Sequence, residues 1–417
     1  MGLGSIVGTG LFVSLGIAAG VVGDGILLAL PLAALLALCN GLSSAQLAAA
    51  HPVSGGTYEY GYRVLNPVLG FSAGWMFLLA KGASAATAAL GLAGYLLLVG
   101  GFEASRTLRV ALAAGAVLLL TVLLLGGIRR TNRANILIVG ITLAVLAWFL
   151  VMGLPEALRS LAEGAGGGSE PFDPFGSSPG ALLHATALLF VAYTGYGRIA
   201  TLGEEVRDPE STIPRAIWIT LGVVALLYTA VAVVALGTLG ASDFAELTRE
   251  TAAPLQAAAA LLEAPGLAFF VGVAAVTAML GVLLNLILGL SRVALAMGRR
   301  SDLPPGLARV HSDSGTPRVA TLTVGSVIFL LVLAGDVSLT WTFSAFTVLI
   351  YYGITNLAAL RLPPEQRRYP RWIPATGLLG CLLLAFQVPV LVWATGTGIL
   401  VAGLLARSLL RRGTAAR

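Results

Sequence analysis

The sequence MGLGSIVGTGLFVSLGIAAG, residues 1–20, is an apolar segment that closely spaced glycines interrupt at Gly4, Gly8 and Gly10. Its composition predicts burial in a membrane, yet glycine is a poor helix former and leaves backbone polar groups exposed. Within a bilayer, an interrupted helix is tolerated only where it is buried in protein or lines a cavity. We therefore interpret residues 1–20 as a discontinuous transmembrane helix that borders a binding site.

A second interrupted segment lies near the middle of the chain, where Gly195 and Gly197 flank Tyr196 in the apolar stretch FVAYTGYGR, residues 190–198. The first interruption opens one set of five predicted spans and the second opens the next five. Interrupted helices in corresponding positions of two halves are typical of secondary transporters built from inverted repeats, whose substrate binds between them. The two breaks therefore predict one shared substrate site.

The chain as a whole has the composition of an integral membrane protein. Of its 417 residues, 57% are hydrophobic and 11% are charged, whereas about 25% are charged in soluble domains. The net charge of +6 does not indicate nucleic-acid binding, because the basic residues flank apolar segments. A template of about 20 apolar residues per span predicts an all-α fold with twelve transmembrane helices, at residues 1–20, 25–50, 67–99, 108–127, 134–154, 181–203, 215–240, 266–298, 318–335, 338–360, 372–394 and 395–410.

These spans divide into two five-helix repeats and two further helices. We predict the first repeat at residues 1–154 and the second, inverted repeat at residues 181–361, with a flexible external loop at 155–180 between them. Two additional helices follow at 372–410, and residues 411–417 form a cytoplasmic tail.

The distribution of arginine and lysine predicts the orientation. With a cytoplasmic N-terminus, eighteen of the 25 basic residues fall in inside loops and four in outside loops. By the positive-inside rule, this pattern indicates a multi-pass protein of the cytoplasmic membrane with both termini in the cytoplasm. Outside, residues 241–264 are predicted to form a short helix capped at Ser242 or Asp243, which we interpret as a lid.

The two breaks together suit a zwitterion. Backbone N–H groups at Gly8, Thr9 and Gly10, at the start of a half-helix, favour a carboxylate. Carbonyl groups freed in residues 190–195 could accept hydrogen bonds from an ammonium group. An amino acid carries both groups, and the nearby aromatic side chains are candidates for gates that close over it.

Charge within the spans is scarce. All 19 acidic residues fall in loops or at span ends, which disfavours a proton relay through a buried carboxylate. Lys81, in LLAKGAS of the third span, is the one lysine of the sequence. A cation at mid-membrane costs roughly 2.5–3.5 kcal/mol, and lysine, unlike arginine, can lose its charge when buried. We interpret Lys81 as a coupling residue, either a proton carrier or a fixed ammonium in a cation site. The alternative is a lysine that extends to the membrane interface or neutralises the carbonyls at a helix C-terminus.

Three more charged residues follow the second break. Arg198 could bind an acidic substrate, pair with Glu205 on the same helix face or close an inner gate, and we favour the ion pair. Glu204 and Glu205 lie at the cytoplasmic end of the sixth span, where we expect them to meet basic loop residues.

Other readings of these motifs are weaker. The spacing of Gly4 and Gly8 also matches a helix-packing motif, but packing does not account for the paired breaks. No zinc, Walker or serine-hydrolase spacing is present, so we predict no metal, no cofactor and no enzymatic activity.

Four stretches resemble motifs of the amino acid-polyamine-organocation superfamily of transporters, and the likeness covers nearly the whole chain. They are GSIVGTGLFV (4–13), PVSGGTYEYGYRVLNPVLGF (52–71), GEEVRDPESTIPRAI (203–217) and SRVALAMGRRSDLPPGLARVHSDSGTPRVA (291–320). The resemblance implies a leucine-transporter-type fold, with ten helices in two inverted five-helix repeats, two of them discontinuous, plus two additional C-terminal helices. Relatives in this superfamily mostly act as proton symporters or as exchangers of amino acids.

The resemblance also implies a substrate site. The substrate carboxylate would meet the backbone of Gly8, Thr9 and Gly10, and its amine the carbonyls near Val191 and Thr194. With the aromatic gate candidates, the predicted binding residues are Gly8, Thr9, Gly10, Phe190, Val191, Tyr193, Thr194, Gly195 and Tyr196, and the coupling or gating candidates are Lys81, Arg198, Glu204 and Glu205.

The chain departs from this pattern at two positions that concern coupling. Many relatives carry an acidic residue after the aromatic of the sixth-helix break, where this chain has Gly197 followed by Arg198. Some proton-coupled relatives place a lysine in the fifth helix, where the nearest match is Thr142. These departures direct attention to Lys81.

The sequence thus predicts an amino acid permease that works by alternating access, with a neutral substrate and proton-coupled uptake. The alternatives are an amino acid exchanger and a sensor that binds amino acids without transporting them. Because the first break follows Met1 by only a few residues, we also expect the natural chain to begin upstream.

Overall fold

The computed structural model describes residue 4 and residues 6–51, 55–103, 105–126, 132–164, 167–168, 171–197, 209–311 and 315–415. Within these ranges the regular secondary structure is helical. The principal helices are α1 (Thr9–Phe12), α2 (Ser14–Val22), α3 (Ile26–Ala50), α4 (Thr57–Tyr60), α5 (Pro67–Val99), α6 (Arg106–Leu125), α7 (Asn132–Ala162), α8 (Pro179–Tyr193), α9 (Pro209–Thr251), α10 (Pro254–Ala260), α11 (Leu267–Arg299), α12 (Arg318–Val332), α13 (Val337–Arg361), α14 (Trp372–Ala385) and α15 (Val390–Ala415).

Capping side chains mark several of the helix starts. The Asn66 side chain accepts hydrogen bonds from the backbone N–H groups of Val68 and Leu69, just before α5. The Asp336 side chain does the same at the start of α13. Each cap supplies acceptors for N–H groups that have no partner within the helix, so these helices begin where the sequence offers a polar side chain.

Each of the twelve predicted spans contains a helix among the described residues, which confirms the all-α membrane fold. In the described part of the chain, eight helical stretches are long and apolar enough to cross a membrane by length and composition, and one of them, residues 9–50, comprises α1, α2 and α3. Two shorter apolar helices, α12 and α14, occupy the ninth and eleventh predicted spans.

Two predicted helix ends were wrong. The eleventh span was expected to end at residue 394, but α14 ends at Ala385 and α15 begins after Pro389, because proline has no N–H to donate and starts a new helix readily. The fifth span was expected to end at residue 154, but α7 continues past Pro155, and Ala157 packs against Gly237 of α9. At the end of α14 hydropathy stays high across the boundary and does not mark it, whereas α7 extends past Pro155 into a more polar stretch that includes Glu156 and Arg159.

The predicted outer helix is present but divided. Gly240, with a φ of 75°, separates the membrane part of α9 from a helical extension that ends at Thr251. α10 then completes this outer segment. The Arg109 side chain is buried, and its guanidinium donates hydrogen bonds to the backbone carbonyls of Arg249 and Glu250. A cation at these last carbonyls stabilises the C-terminal end of the helix.

Helix α5 lies at the centre of the bundle and packs along α11 and α13. Small residues let it approach its neighbours closely, and two hydroxyl pairs join it to α13. Ser84 Oγ lies 2.8 Å from Ser344 Oγ, and Thr87 Oγ1 lies 2.8 Å from Thr340 Oγ1. Close approach through small residues, with hydroxyl hydrogen bonds between helices, is typical of membrane bundles.

A buried carboxylate joins three distant parts of the chain. Asp302, which follows α11 and has a fully buried side chain, accepts hydrogen bonds from Tyr58 at 2.8 Å and Tyr62 at 2.5 Å. From α15, Arg407 and Arg411 place guanidinium nitrogens 2.7 and 3.1 Å from the same Oδ1 atom. We call these five residues the Asp302 cluster. Burial raises the pKa of both tyrosines most, and the hydrogen bond to Asp302 raises it further. Both hydroxyl groups therefore stay protonated and remain hydrogen-bond donors.

Candidate binding site

The first helix is interrupted at Gly8, as predicted. Gly8 has an extended backbone conformation. Its carbonyl accepts hydrogen bonds from the N–H groups of Leu11 and Phe12, and these bonds form the first turn of the half-helix α1. Space explains the glycine here, since a Cβ atom at Gly8 would lie 2.7 Å from Val282 Cγ2 of α11. The neighbouring Thr9 hydroxyl is buried and has no hydrogen-bond partner among the described residues. A buried hydroxyl without a partner is a ready contact for a polar ligand.

The second break is a tight turn at the end of α8. Residues Thr194–Tyr196 form a 3-10 turn, and the Thr194 hydroxyl donates to the Val191 carbonyl at 2.6 Å. The Tyr352 hydroxyl of α13 donates to the Thr194 carbonyl at 3.3 Å. The carbonyls expected to receive a substrate amine thus already accept hydroxyl groups of the protein. Each carbonyl oxygen has two lone pairs, so a further donor can still bind.

The two breaks lie in contact. A Cβ atom at Gly10 would come within 2.8 Å of Ala192 Cβ and 2.9 Å of the Tyr228 hydroxyl. Tyr228 belongs to α9, is fully buried and donates to the Ile6 carbonyl at 2.9 Å, with the Ala192 carbonyl at 3.3 Å. Only glycine leaves room for this approach, so the two breaks lie against each other at Gly10.

The predicted aromatic residues of the second break are fully buried at the same place. The ring of Phe190 meets that of Tyr352 edge-on, with centroids 5.5 Å apart. The ring centroid of Tyr196 lies 5.6 Å from that of Tyr352. The ring of Tyr193 lies 5.3 Å from Tyr228. Together these rings form an apolar layer around the two breaks.

Lys81 reaches the second break from α5. Its ammonium donates to the Thr194 hydroxyl at 2.8 Å, and the side chain is partly buried. Within the described part of the chain, Lys81 forms no ion pair with a carboxylate. The side chain thus points into the protein beside the predicted site, without a carboxylate partner among the described residues.

The remaining predictions divide between described and undescribed residues. Gly195 lies in the turn and is partly exposed. Arg198, Glu204 and Glu205 lie outside the described residues. Among the residues that are described, no group of three or more histidine, cysteine or acidic side chains is arranged to hold a metal ion.

Sequence reasoning missed two functional candidates, Tyr228 and Tyr352. Both sit in apolar runs, LLYTAV and LIYYGI, where a buried tyrosine normally finds a hydrogen-bond partner for its hydroxyl. That rule signals a partner but does not identify it, because the rotation of each helix about its axis decides which backbone carbonyl the hydroxyl meets.

Comparisons with known proteins show the family of this chain. A family model described as amino acid permease matches residues 1–414. The chain is 40% identical to an uncharacterized transporter of Mycobacterium tuberculosis over 417 residues, covering 99% of this chain and 89% of the relative. It is 28% identical to the branched-chain amino acid permease BcaP of Bacillus subtilis, with 96% and 88% covered. It is 29% identical to the methylthioribose transporter of the same organism, with 94% and 87% covered.

Proposed function

The chain belongs to the amino acid permease family, and from this premise we propose how this amino acid transporter works. It carries neutral amino acids across the cell membrane by alternating access, in symport with protons. The observation that carries the proposal is the contact between the two interrupted helices at Gly10 and Ala192, since secondary transporters bind their substrates where two such helices meet.

In this proposal the backbone holds the two charged groups that all amino acids share. The carboxylate binds at the start of the first half-helix, at Gly8, Thr9 and Gly10, where the unpartnered Thr9 hydroxyl supports a polar ligand. The ammonium group binds the remaining lone pairs of the Val191 and Thr194 carbonyls. Phe190, Tyr193 and Tyr196 enclose the site and separate it from water.

Charge at the breaks supports a neutral side chain on the substrate. Among the described residues, the charged group in contact with either break is the Lys81 ammonium. A cationic side chain placed beside it would be repelled, and no described carboxylate is there to compensate. The name of the BcaP relative, a branched-chain amino acid permease, agrees with a neutral substrate. The name of the methylthioribose transporter indicates that substrates differ within this group of relatives.

Lys81 is the proposed proton carrier. It lies on the central helix α5 and contacts the second break through Thr194. Among the described residues it has no carboxylate as an ion-pair partner. A buried lysine can change its protonation state, and loss of the proton would alter its hydrogen bond to the Thr194 hydroxyl. Arg198, Glu204 and Glu205 remain gating candidates on sequence grounds.

The two proposed repeats, residues 1–154 and 181–361, each begin with a broken helix, and we propose that the two broken helices move relative to the helices around them during transport. We place both termini in the cytoplasm, because this orientation puts most of the basic residues inside.

Flux measurements in proteoliposomes test the proposed function. We expect net uptake of labelled neutral amino acids into vesicles without internal substrate, stimulated by an inward proton gradient. Uptake only against internal amino acid would instead identify an exchanger. Binding without flux would identify a sensor, and uptake of lysine or arginine in preference to neutral amino acids would refute the neutral substrate.

A substitution of Lys81 tests the coupling. We expect Lys81→Gln to abolish the rise in uptake that an inward proton gradient produces, because glutamine does not titrate. The matched control is Thr87→Val, on the same helix, whose hydroxyl lies 2.8 Å from that of Thr340. A proton-gradient response in Lys81→Gln equal to that of the unchanged chain would remove Lys81 from the coupling mechanism.

A further inference from the structure

The outer segment, residues 241–264, lies directly against the first helix and α5. A Cβ atom at Gly16 of α2 would overlap the Thr248 hydroxyl, and one at Gly94 of α5 would overlap the Thr251 carbonyl. Glycine at both positions lets the outer segment approach the two helices closely. The segment therefore rests on the helix that carries the first break and on its neighbour α5.

The Tyr95 hydroxyl of α5 joins the outer segment to the first helix. It donates a hydrogen bond to the Phe12 carbonyl at 2.9 Å and accepts one from the Leu255 N–H group at 3.2 Å. All three residues are fully buried, and the rings of Tyr95 and Phe12 meet edge-on with centroids 5.8 Å apart. Because a hydroxyl both donates and accepts, one oxygen connects backbone groups from two distant parts of the chain.

Both of these backbone groups lie at helix ends. Phe12 is the last residue of α1, and Val13 after it has a φ of −127°, outside the helical range. Leu255 is the second residue of α10, where an N–H group has no acceptor within the helix. Buried backbone groups need hydrogen-bond partners. Since the Tyr95 hydroxyl serves as partner to both, its orientation depends on where both segments lie.

The turn that precedes α10 has a conformation that alanine rarely adopts. Ala252 is fully buried and has a φ of 58°, a left-handed conformation that persists in a non-glycine residue only where the surroundings hold it. Arg109 holds the carbonyls of Arg249 and Glu250 before this turn, and Tyr95 holds the N–H group after it. We therefore expect the turn to relax when either contact is lost.

We propose that Tyr95 couples the docking of the outer segment to substrate binding at the first break. This inference rests on the proposed function, in which the substrate carboxylate binds at Gly8, Thr9 and Gly10. These residues begin the half-helix α1, which ends within one turn at Phe12. A substrate that fixes α1 therefore also fixes the carbonyl that orients Tyr95. Tyr95 is a positioning residue, since it acts on the substrate through α1, and the docked segment in turn strengthens binding.

Trypsin cleavage after Arg249 reports whether the outer segment is docked. Arg249 is the one arginine or lysine of residues 241–264. It is exposed but lies in a helix, which must open locally before a protease can cut it. Cleavage after Arg368, an exposed residue between α13 and α14, is the internal reference. Initial rates at both bonds are measured by mass spectrometry on the purified full chain in detergent, with and without a saturating neutral amino acid.

The probe is the neutral amino acid for which the unchanged chain has the lowest Kd. We expect it to slow cleavage after Arg249 about 5-fold, a typical coupling between two sites, and to leave cleavage after Arg368 unaltered. Tyr95→Phe keeps the ring and removes the hydroxyl. In this variant cleavage after Arg249 should be faster and insensitive to the amino acid, and Kd should rise about 5-fold, because coupling between two sites is reciprocal.

Tyr60→Phe is the matched control. Tyr60 is a buried tyrosine of α4, and it belongs to an apolar cluster separate from the one that contains Tyr95. The substitution therefore removes a tyrosine hydroxyl of comparable burial without touching the outer segment or α1. We expect its Kd, its cleavage rates and its protection by the amino acid to match those of the unchanged chain.

Three results would overturn the inference: binding without protection of Arg249 in the unchanged chain, unaltered Kd and protection in Tyr95→Phe, or equally faster cleavage of that variant after Arg249 and Arg368, which would indicate a general loss of stability. If Tyr95→Phe fails to fold, Gly94→Ala decides, because its added Cβ atom displaces the Thr251 carbonyl and keeps the Tyr95 hydroxyl. Faster cleavage after Arg249 with weaker binding then supports the coupling, and an unaltered Kd contradicts it.

The same measurements separate this inference from the proposed function. If the unchanged chain binds a neutral amino acid that does not protect Arg249, the inference fails and the proposed function stands. If it binds none of the neutral amino acids, the proposed function is refuted, and the inference with it.

Discussion

Gly10 is the residue at which the two halves of the proposed site come closest. Its missing side chain accommodates both Ala192 of the second break and the hydroxyl of Tyr228. The Ala192 contact involves a Cα atom at 2.9 Å as well as a Cβ atom, so the backbone itself would have to move to admit a larger residue. Packed interiors resist such movement.

We expect Gly10→Ala to reduce amino acid affinity and uptake strongly, since an added methyl group in a filled interior costs about 1–3 kcal/mol and here would separate the two breaks. Affinity and uptake in proteoliposomes measure the effect. Gly115→Ala is the control, because a Cβ atom at Gly115 of α6 meets nothing within 4 Å. Normal uptake by Gly10→Ala would show that the contact between the breaks is not required.

The glycine breaks were predictable from the sequence because glycine is itself a poor helix former. It did not predict the bridge made by Tyr228, which lies more than 200 positions from Ile6 along the chain. That contact depends on which face of α9 is turned towards the first helix. Long-range hydroxyl contacts of this kind follow from packing, and a single sequence does not encode them in a local pattern.

At the scale of elements, the last helix is tied to the rest of the protein through the Asp302 cluster. α15 supplies Arg407 and Arg411, and the segment after α3 supplies Tyr58 and Tyr62. The Arg407 side chain is 8% exposed and the Asp302 side chain is fully buried. Removal of one partner from such a pair leaves an unbalanced buried charge, which is costly.

We expect Asp302→Asn to lower the free energy of unfolding by about 3 kcal/mol, the loss typical of a broken buried ion pair, and to lower Tm in detergent. Glu156→Gln is the matched control, since Glu156 pairs with Arg159 at 3.3 Å on the surface, where both side chains are mostly exposed. Such a surface pair contributes about 0–1 kcal/mol. Equal Tm values for the two variants would contradict the structural role of the cluster.

The helices themselves were predictable, because apolar length and capping residues mark them. The end of α14 was not, since hydropathy remains high past Ala385. The end of α7 was not either, since that helix continues past Pro155 into a more polar stretch. The Asp302 cluster was also missed. Its members are separated by more than 200 residues between Tyr58 and Asp302 and by about 100 between Asp302 and Arg407, so charge patterning along the chain does not bring them together.

At the scale of the whole molecule, α5 and α13 form a central pair. The hydroxyl contacts Ser84–Ser344 and Thr87–Thr340 join them along one interface. The broken helices, by contrast, meet through small residues and a single tyrosine hydroxyl. We therefore expect α5 and α13 to move as one body during transport while the broken helices shift beside them.

A cross-link tests this division. In a chain whose two native cysteines are replaced by alanine, we expect Ser84→Cys combined with Ser344→Cys to retain amino acid uptake after oxidation, because the joined helices do not move relative to each other. Uptake before and after reduction provides the comparison, and each single cysteine variant is a control. Loss of uptake on oxidation, restored by reduction, would show that α5 and α13 separate during transport.

The hydroxyl groups that occupy the carbonyls of the broken helices also bear on the return half of the cycle. A transporter whose interrupted backbone needs cargo to satisfy it is unstable when empty, and it therefore crosses back only when loaded. Here Tyr228, Ser14 and Tyr95 supply donors to three carbonyls around the first break without cargo. We therefore expect the unloaded protein to reset by itself, as the proposed net uptake requires and an obligatory exchanger does not.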